Sequence, residues 1–111
     1  MKRGEIWTLQ DDGYASKARP VVIVQSDLVG GFDSVVLSLL TTFDAPLAFS
    51  RVKIEPDKAN GLKQVSYVMT EKLVTVRRAD LGYKVGELSE ACMHEVARRL
   101  VQVLGITGDD I

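Results

Sequence analysis

The run Pro20-Val21-Val22-Ile23-Val24 narrows the fold of this chain more than any other segment. Four consecutive β-branched residues are too few for a helix and leave no polar position for water, so they predict a strand covered on both faces. Pro20 has no amide proton to give to a ladder and fits only the first position of such a strand. The rest of the chain must then supply neighbouring strands and something to cover them. Its 111 residues, 46% hydrophobic and 26% charged, suffice for a single domain over 1–111 with one core.

The neighbours are visible as further strand-like segments. Residues 5–10 alternate, with Ile6, Thr8 and Gln10 toward one side and Trp7 and Leu9 toward the other. The polar stretch 11–18 carries turn formers and no period, and predicts a loop. Gly30-Gly31 turns the chain into an apolar strand at 34–42, and 51–55 alternates charged with apolar residues, as a strand with one wet face does. Pro56-Asp57 and Asn60-Gly61 supply turns before a long or bent strand at 66–76. Residues 82–88 look like a short connection with a small last strand at 84–86.

Helical spacing is confined to 89–104, where Met93, Val96, Ala97, Leu100, Val101 and Leu104 repeat at i, i+3, i+4, i+7. Ser89 suits the N-cap, Leu88 and Met93 the two ends of a hydrophobic staple, and Gly105 the residue after the helix. The pattern predicts a mainly β fold, an antiparallel sheet or barrel with one C-terminal helix.

Several chemistries are excluded by what the sequence lacks. One cysteine, Cys92, makes neither a disulfide nor a thiolate metal site within the chain, and on the helix it reads as a small packing residue. The single histidine, His94, falls opposite Met93 and Val96 and reads as solvated, which removes a histidine-dependent triad. There is no phosphate-loop, dinucleotide or metalloprotease motif, so neither a metal nor another cofactor is expected. The charged start, Met1-Lys2-Arg3-Gly4-Glu5, lacks the apolar stretch of a signal peptide, and no apolar run approaches the roughly 18 residues of a membrane span, so a cytoplasmic protein without membrane contact is expected. The net charge of −1 argues against coating nucleic acid nonspecifically and confines any RNA contact to a local patch.

Arg19 is the first functional candidate. A residue before proline is pushed to extended geometry, which holds this guanidinium at the mouth of the most buried strand. There it suits a phosphodiester, though an arginine at a loop end also commonly pairs with a carboxylate. Thr41 and Thr42 end the third strand and offer hydroxyls at the same sheet end, although threonine favours strands for steric reasons alone. Arg51, Lys53, Lys58 and Lys63 offer a positive rim, against the plainer reading of a solvated strand face.

In order and spacing, Arg3-Gly4-Glu5-Ile6-Trp7, Arg19-Pro20-Val21-Val22-Ile23-Val24-Gln25-Ser26-Asp27, Leu39-Leu40-Thr41-Thr42, Ser66-Tyr67-Val68 and Glu71-Lys72-Leu73-Val74-Thr75-Val76 resemble the MazF/PemK toxin family over about 100 residues. The resemblance implies an SH3-like barrel with a C-terminal helix, a homodimer, and metal-independent cleavage of single-stranded RNA. It implies that Arg19 stabilises the scissile phosphate and Thr41 holds it, while the RNA 2′-hydroxyl attacks and leaves a 2′,3′-cyclic phosphate and a 5′-hydroxyl. Lys17, Thr42, Arg51 and Lys53 become the expected RNA contacts, and a cognate antitoxin whose tail folds over the groove the expected partner. Two departures stand out: the loop Gly13-Tyr14-Ala15-Ser16-Lys17-Ala18 carries no glutamate, and Val74 stands where a basic residue is frequent.

Two alternatives share this fold. One is a non-enzymatic binding toxin like the gyrase poisons related to CcdB, which act through a C-terminal tryptophan segment; here the only tryptophan is Trp7. The other is an inactive family member that serves as an interaction protein.

Overall fold

The computed structural model describes residues 1–10, 18–46 and 48–111. Six strands, β1 (Glu5–Leu9), β2 (Arg19–Ile23), β3 (Ser34–Thr41), β4 (Arg51–Ile54), β5 (Ser66–Arg77) and β6 (Leu81–Glu87), precede one helix, α1 (Glu90–Leu104). They form one sheet in the order β4-β5-β3-β2-β1-β6, with every neighbouring pair antiparallel. The sheet is not closed between its end strands β4 and β6, an arrangement compatible with an SH3-like barrel.

β2 lies in the middle, and its side chains feed two separate cores. Val22 and Val24 join Ile6, Leu40, Val52, Ile54, Val68, Leu88, Met93 and Val96 on the face covered by α1. Val21 and Ile23 join Val35, Leu37 and Leu81 on the other, where Trp7, Leu9, Leu39, Val74 and Val76 pack at the edge. The unbroken apolar run is thus explained by burial on both sides. Val74, one of the two departures noted above, is partly buried against this second core.

β5 is long because it is bent. Ser38 pairs with Leu73 and the next residue, Leu39, with Met69, so Thr70, Glu71 and Lys72 have no counterpart on β3. The bend is fastened to the turn before β4: the Thr70 amide and hydroxyl both donate to the Ser50 carbonyl, at 3.2 and 2.6 Å, and the Ser50 hydroxyl donates to Glu71 at 2.8 Å.

β6 is seven residues, longer than the strand of 84–86 that its two glycines suggest. Those glycines mark close approach. A Cβ on Gly82 would strike the Thr8 hydroxyl, and one on Gly86 the carbonyls of Ala59 and Asn60.

The helix begins and ends as its caps dictate. The Ser89 hydroxyl accepts from the Cys92 amide at 3.1 Å, and Gly105 takes φ +68° with its amide on the Gln102 carbonyl. Cys92 packs against the first core, and His94 is exposed. The predicted apolar face, however, is covered only over its first turns. Met93 and Val96 are buried where α1 packs on β4 and β5, Ala97 and Leu100 partly so, while Val101 and Leu104 are 45% and 55% exposed.

Glu5 ties the chain start to β6. Its carboxylate accepts from the Lys2 amide at 2.9 Å and the Trp7 indole at 3.0 Å, and meets the Lys84 ammonium at 3.1 Å. Burial alone would push this carboxyl up, but those three donors outweigh it and hold it at about 2, below the ordinary 4.5. A depressed carboxyl stabilises the fold fully above the unfolded value and loses that contribution as pH falls through the folded one. Glu5→Gln is therefore expected to lower stability at pH 7 by on the order of 2–3 kcal/mol, and the gap to the parent should close between pH 4.5 and about 2 in denaturant titrations.

Candidate active site

Toward the start of β2, the ladder between β2 and β3 ends at the pair Val21–Leu39. Pro20 comes next and has no amide proton to continue it. It sits one residue inside β2, pairing with Thr8 of β1 on the other side. Beyond Leu39, β3 keeps its pairing only with β5, through Leu40–Val68 and Thr41–Tyr67. The start of β2 and the end of β3 therefore part, and a cavity of about 360 Å³ opens between them.

Ala18, Arg19, Pro20, Leu40, Thr41, Thr42 and Ser66 line this cavity. Three sequence candidates, Arg19, Thr41 and Thr42, thus come together from strands joined only through the sheet. Arg19 opens β2 opposite Leu9 and is exposed. Thr41 is oriented by its own turn, since its hydroxyl accepts from the Phe43 amide at 3.1 Å. A hydroxyl that accepts in this way still has its proton to donate. Among the described lining residues Arg19 alone is charged.

A second cavity of about 280 Å³ adjoins the first and shares Ala18, Pro20, Thr42 and Ser66 with it. Its further walls are Thr8, the segment Gly61, Leu62, Lys63 and Gln64, and Tyr83 and Val85 of β6. Asn60 holds that segment rigidly. It is buried, its side-chain amide donates to the Glu55 carbonyl, and its side-chain oxygen accepts from the amides of Asp57 and Leu62. Gly61, at φ +67°, lies against the Val85 backbone with no room for a Cβ.

Arg51 and Lys53 are not among the residues lining either cavity. Arg51 is held by Glu71, with Nε at 2.8 Å and a second nitrogen at 2.6 Å, across the bend of β5. Burial would raise the Glu71 carboxyl, but Arg51 and Ser50 outweigh it and bring it below the ordinary value. Lys53 is exposed and meets Glu55 at 3.3 Å. Lys17 and the loop residues 13–17 lie outside the described residues. Ser66, Gln64 and Tyr83 were not marked as candidates by the sequence, because only strand pairing brings residue 66 beside 41 and residue 83 beside 8. Among the described residues, no three His, Cys, Asp or Glu side chains are grouped to hold a metal ion, and no helix is long and apolar enough to cross a membrane.

Residues 2–104 match the family described as PemK-like, MazF-like toxin of type II toxin-antitoxin system. The chain belongs to this family. It is 41% identical over 109 residues to a probable endoribonuclease MazF of Mycolicibacterium smegmatis, covering 97% of this chain and all of that protein. Among solved structures it superposes with a TM-score of 0.82, at 27% identity, on a mycobacterial endoribonuclease in complex with its cognate antitoxin, covering 96% of this chain and 97% of that one. Mycobacterium tuberculosis toxin MazF-mt6 follows at TM-score 0.78 and 27% identity, covering 93% and 98%. Within this MazF-type fold the cavity at Pro20 is the place where arginine and threonine side chains meet.

Because Gly61 needs a positive φ and touches Val85, Gly61→Ala is expected to cost at least about 1–3 kcal/mol. Thermal unfolding followed by circular dichroism should show the lower midpoint.

Proposed function

We propose that this chain is the toxin of a toxin-antitoxin module, an endoribonuclease that cuts single-stranded RNA at the cavity between β2 and β3. The observation that carries the reading is the meeting of Arg19, Thr41 and Thr42 in one cleft whose only charged described wall residue is a cation. Relatives named as endoribonucleases support it.

The chemistry follows from the groups present. A phosphodiester bound in the cleft has its oxygens near the Arg19 guanidinium, which offsets the charge that grows as phosphorus becomes five-coordinate. The Thr41 hydroxyl donates to a second oxygen and fixes the phosphate for in-line attack. The nucleophile belongs to the substrate: the RNA 2′-oxygen bonds to phosphorus, the bond to the 5′-oxygen breaks, and the proton released from the 2′-hydroxyl ends on that 5′-oxygen. The products are a 2′,3′-cyclic phosphate and a 5′-hydroxyl, and no metal or cofactor takes part.

Thr42, shared by the two cavities, lies on the path of the RNA. Lys17, Arg51 and Lys53 extend that path as secondary contacts; for Arg51 this requires sharing its guanidinium between Glu71 and a phosphate. The chain acts as one domain, 1–111, in the cytoplasm where messenger RNA is available. A homodimer covers Val101 and Leu104, the apolar half of α1 that its own sheet leaves exposed. A cognate antitoxin partners it, as in the complex of the mycobacterial relative. The gyrase-poison reading loses ground, since the named relatives are endoribonucleases and Trp7 sits in β1, against the second core.

The purified protein should cut single-stranded RNA in the presence of EDTA and leave 5′-hydroxyl ends. Arg19→Ala should lower the rate by about 100-fold or more without unfolding the protein. A wild type inert on mixed RNAs at high concentration would favour the inactive-member reading. Thr41→Val should slow cleavage by about tenfold or more, and a loss below about threefold would move its role to Thr42.

A further inference from the structure

β6 carries a device beside the cleft that the cleavage chemistry does not use. Between the pairs Trp7–Lys84 and Leu9–Leu81, the single residue Thr8 of β1 faces two residues of β6, Gly82 and Tyr83. Such a bulge re-aims a side chain that a regular ladder would send elsewhere. Here it is pinned, because the buried Thr8 hydroxyl accepts from the Tyr83 amide at 3.0 Å. Gly82 is the residue type that lets Thr8 come so close.

The result is a phenol ring, 65% exposed, on the wall of the cavity that adjoins the Arg19–Thr41 cleft. Across from β6 stands the segment fixed by Asn60, with Lys63 and Gln64 on the same cavity. An accessible aromatic ring, a side-chain amide and a cation around one rigid hollow suit a nucleotide. Bases splayed from a single strand stack on aromatic side chains, and an amide reads their edges with one donor group and one acceptor.

We propose that this second cavity is a base-binding subsite for a nucleotide flanking the cut, with Tyr83 as its stacking platform and Gln64 as the group that reads the base. Lys63 meets the phosphate of the same nucleotide. The assignment rests on the endoribonuclease reading above and names how that site chooses its RNA. It gives Tyr83 and Gln64 a role in substrate choice and none in bond cleavage.

The test uses the full chain and an oligonucleotide of its own cleaved sequence, made resistant by 2′-deoxy substitution at the cut. Tyr83→Ala should weaken binding of this oligonucleotide by about 5- to 150-fold, Tyr83→Phe should restore most of it, and thermal melting should show both variants folded. Sequencing of RNA ends should show relaxed preference at one flanking position in Gln64→Ala, with the cut still made. If wild type cuts RNA while Tyr83→Ala binds and cuts the same sequences equally well, the subsite is overturned and the nuclease reading stands. Unchanged RNA binding with lost antitoxin binding would overturn it in favour of a protein contact. If wild type cuts no RNA, the nuclease reading itself fails, and the subsite with it.

Discussion

A strand buried on both faces cannot slide. Moving β2 by one residue would exchange Val22 and Val24 with Val21 and Ile23 between two differently shaped cores, so the position of Arg19 at its start is set by packing several residues away. Pro20 then supplies the one interruption that this strand tolerates. A missing amide proton costs little at the sheet end, and it separates β2 from β3 where a substrate can enter. Rigid burial and a local break, side by side, place a cation and two hydroxyls in one cleft.

Among the described residues, several acids are engaged away from the cleft. Glu5 is occupied by Lys84 and the backbone of Lys2, Glu71 by Arg51 and Ser50, and Glu55 by Lys53. The chain therefore approaches neutrality as a whole while the described walls of both cavities carry only Arg19 and Lys63 as charged groups. A protein of this kind attracts a polyanion at one place and has little general hold on nucleic acid.

Much of this was legible in the sequence, and for local reasons. The β-branched run, the 3.6-residue spacing of α1, Ser89 and Gly105 at its ends, and Pro20 after Arg19 each act through neighbours within a few positions. What was hidden depends on pairing across the sheet. β6 reads as a connection because Gly82 and Gly86 look like turn residues, whereas they are there to let Thr8 and the loop before Leu62 come close. The partner of Arg51 lies twenty residues on, at a bend in β5 that periodicity does not mark. The exposed half of α1 follows the same apolar period as the buried half, since the repeat records that something covers a face and not which molecule does so.

The contact of Gly61 with Val85, and of Gly86 with Ala59 and Asn60, joins the loop to β6 through main chain on both sides. The container beside the cleft owes its shape to peptide groups held close by Gly61 and Gly86, which replacement of the other lining side chains leaves in place. Lining side chains such as those at 63, 64 and 83 are then exchangeable inside a constant shell. A fold built this way can acquire a new preference in RNA one residue at a time, without renegotiating its architecture.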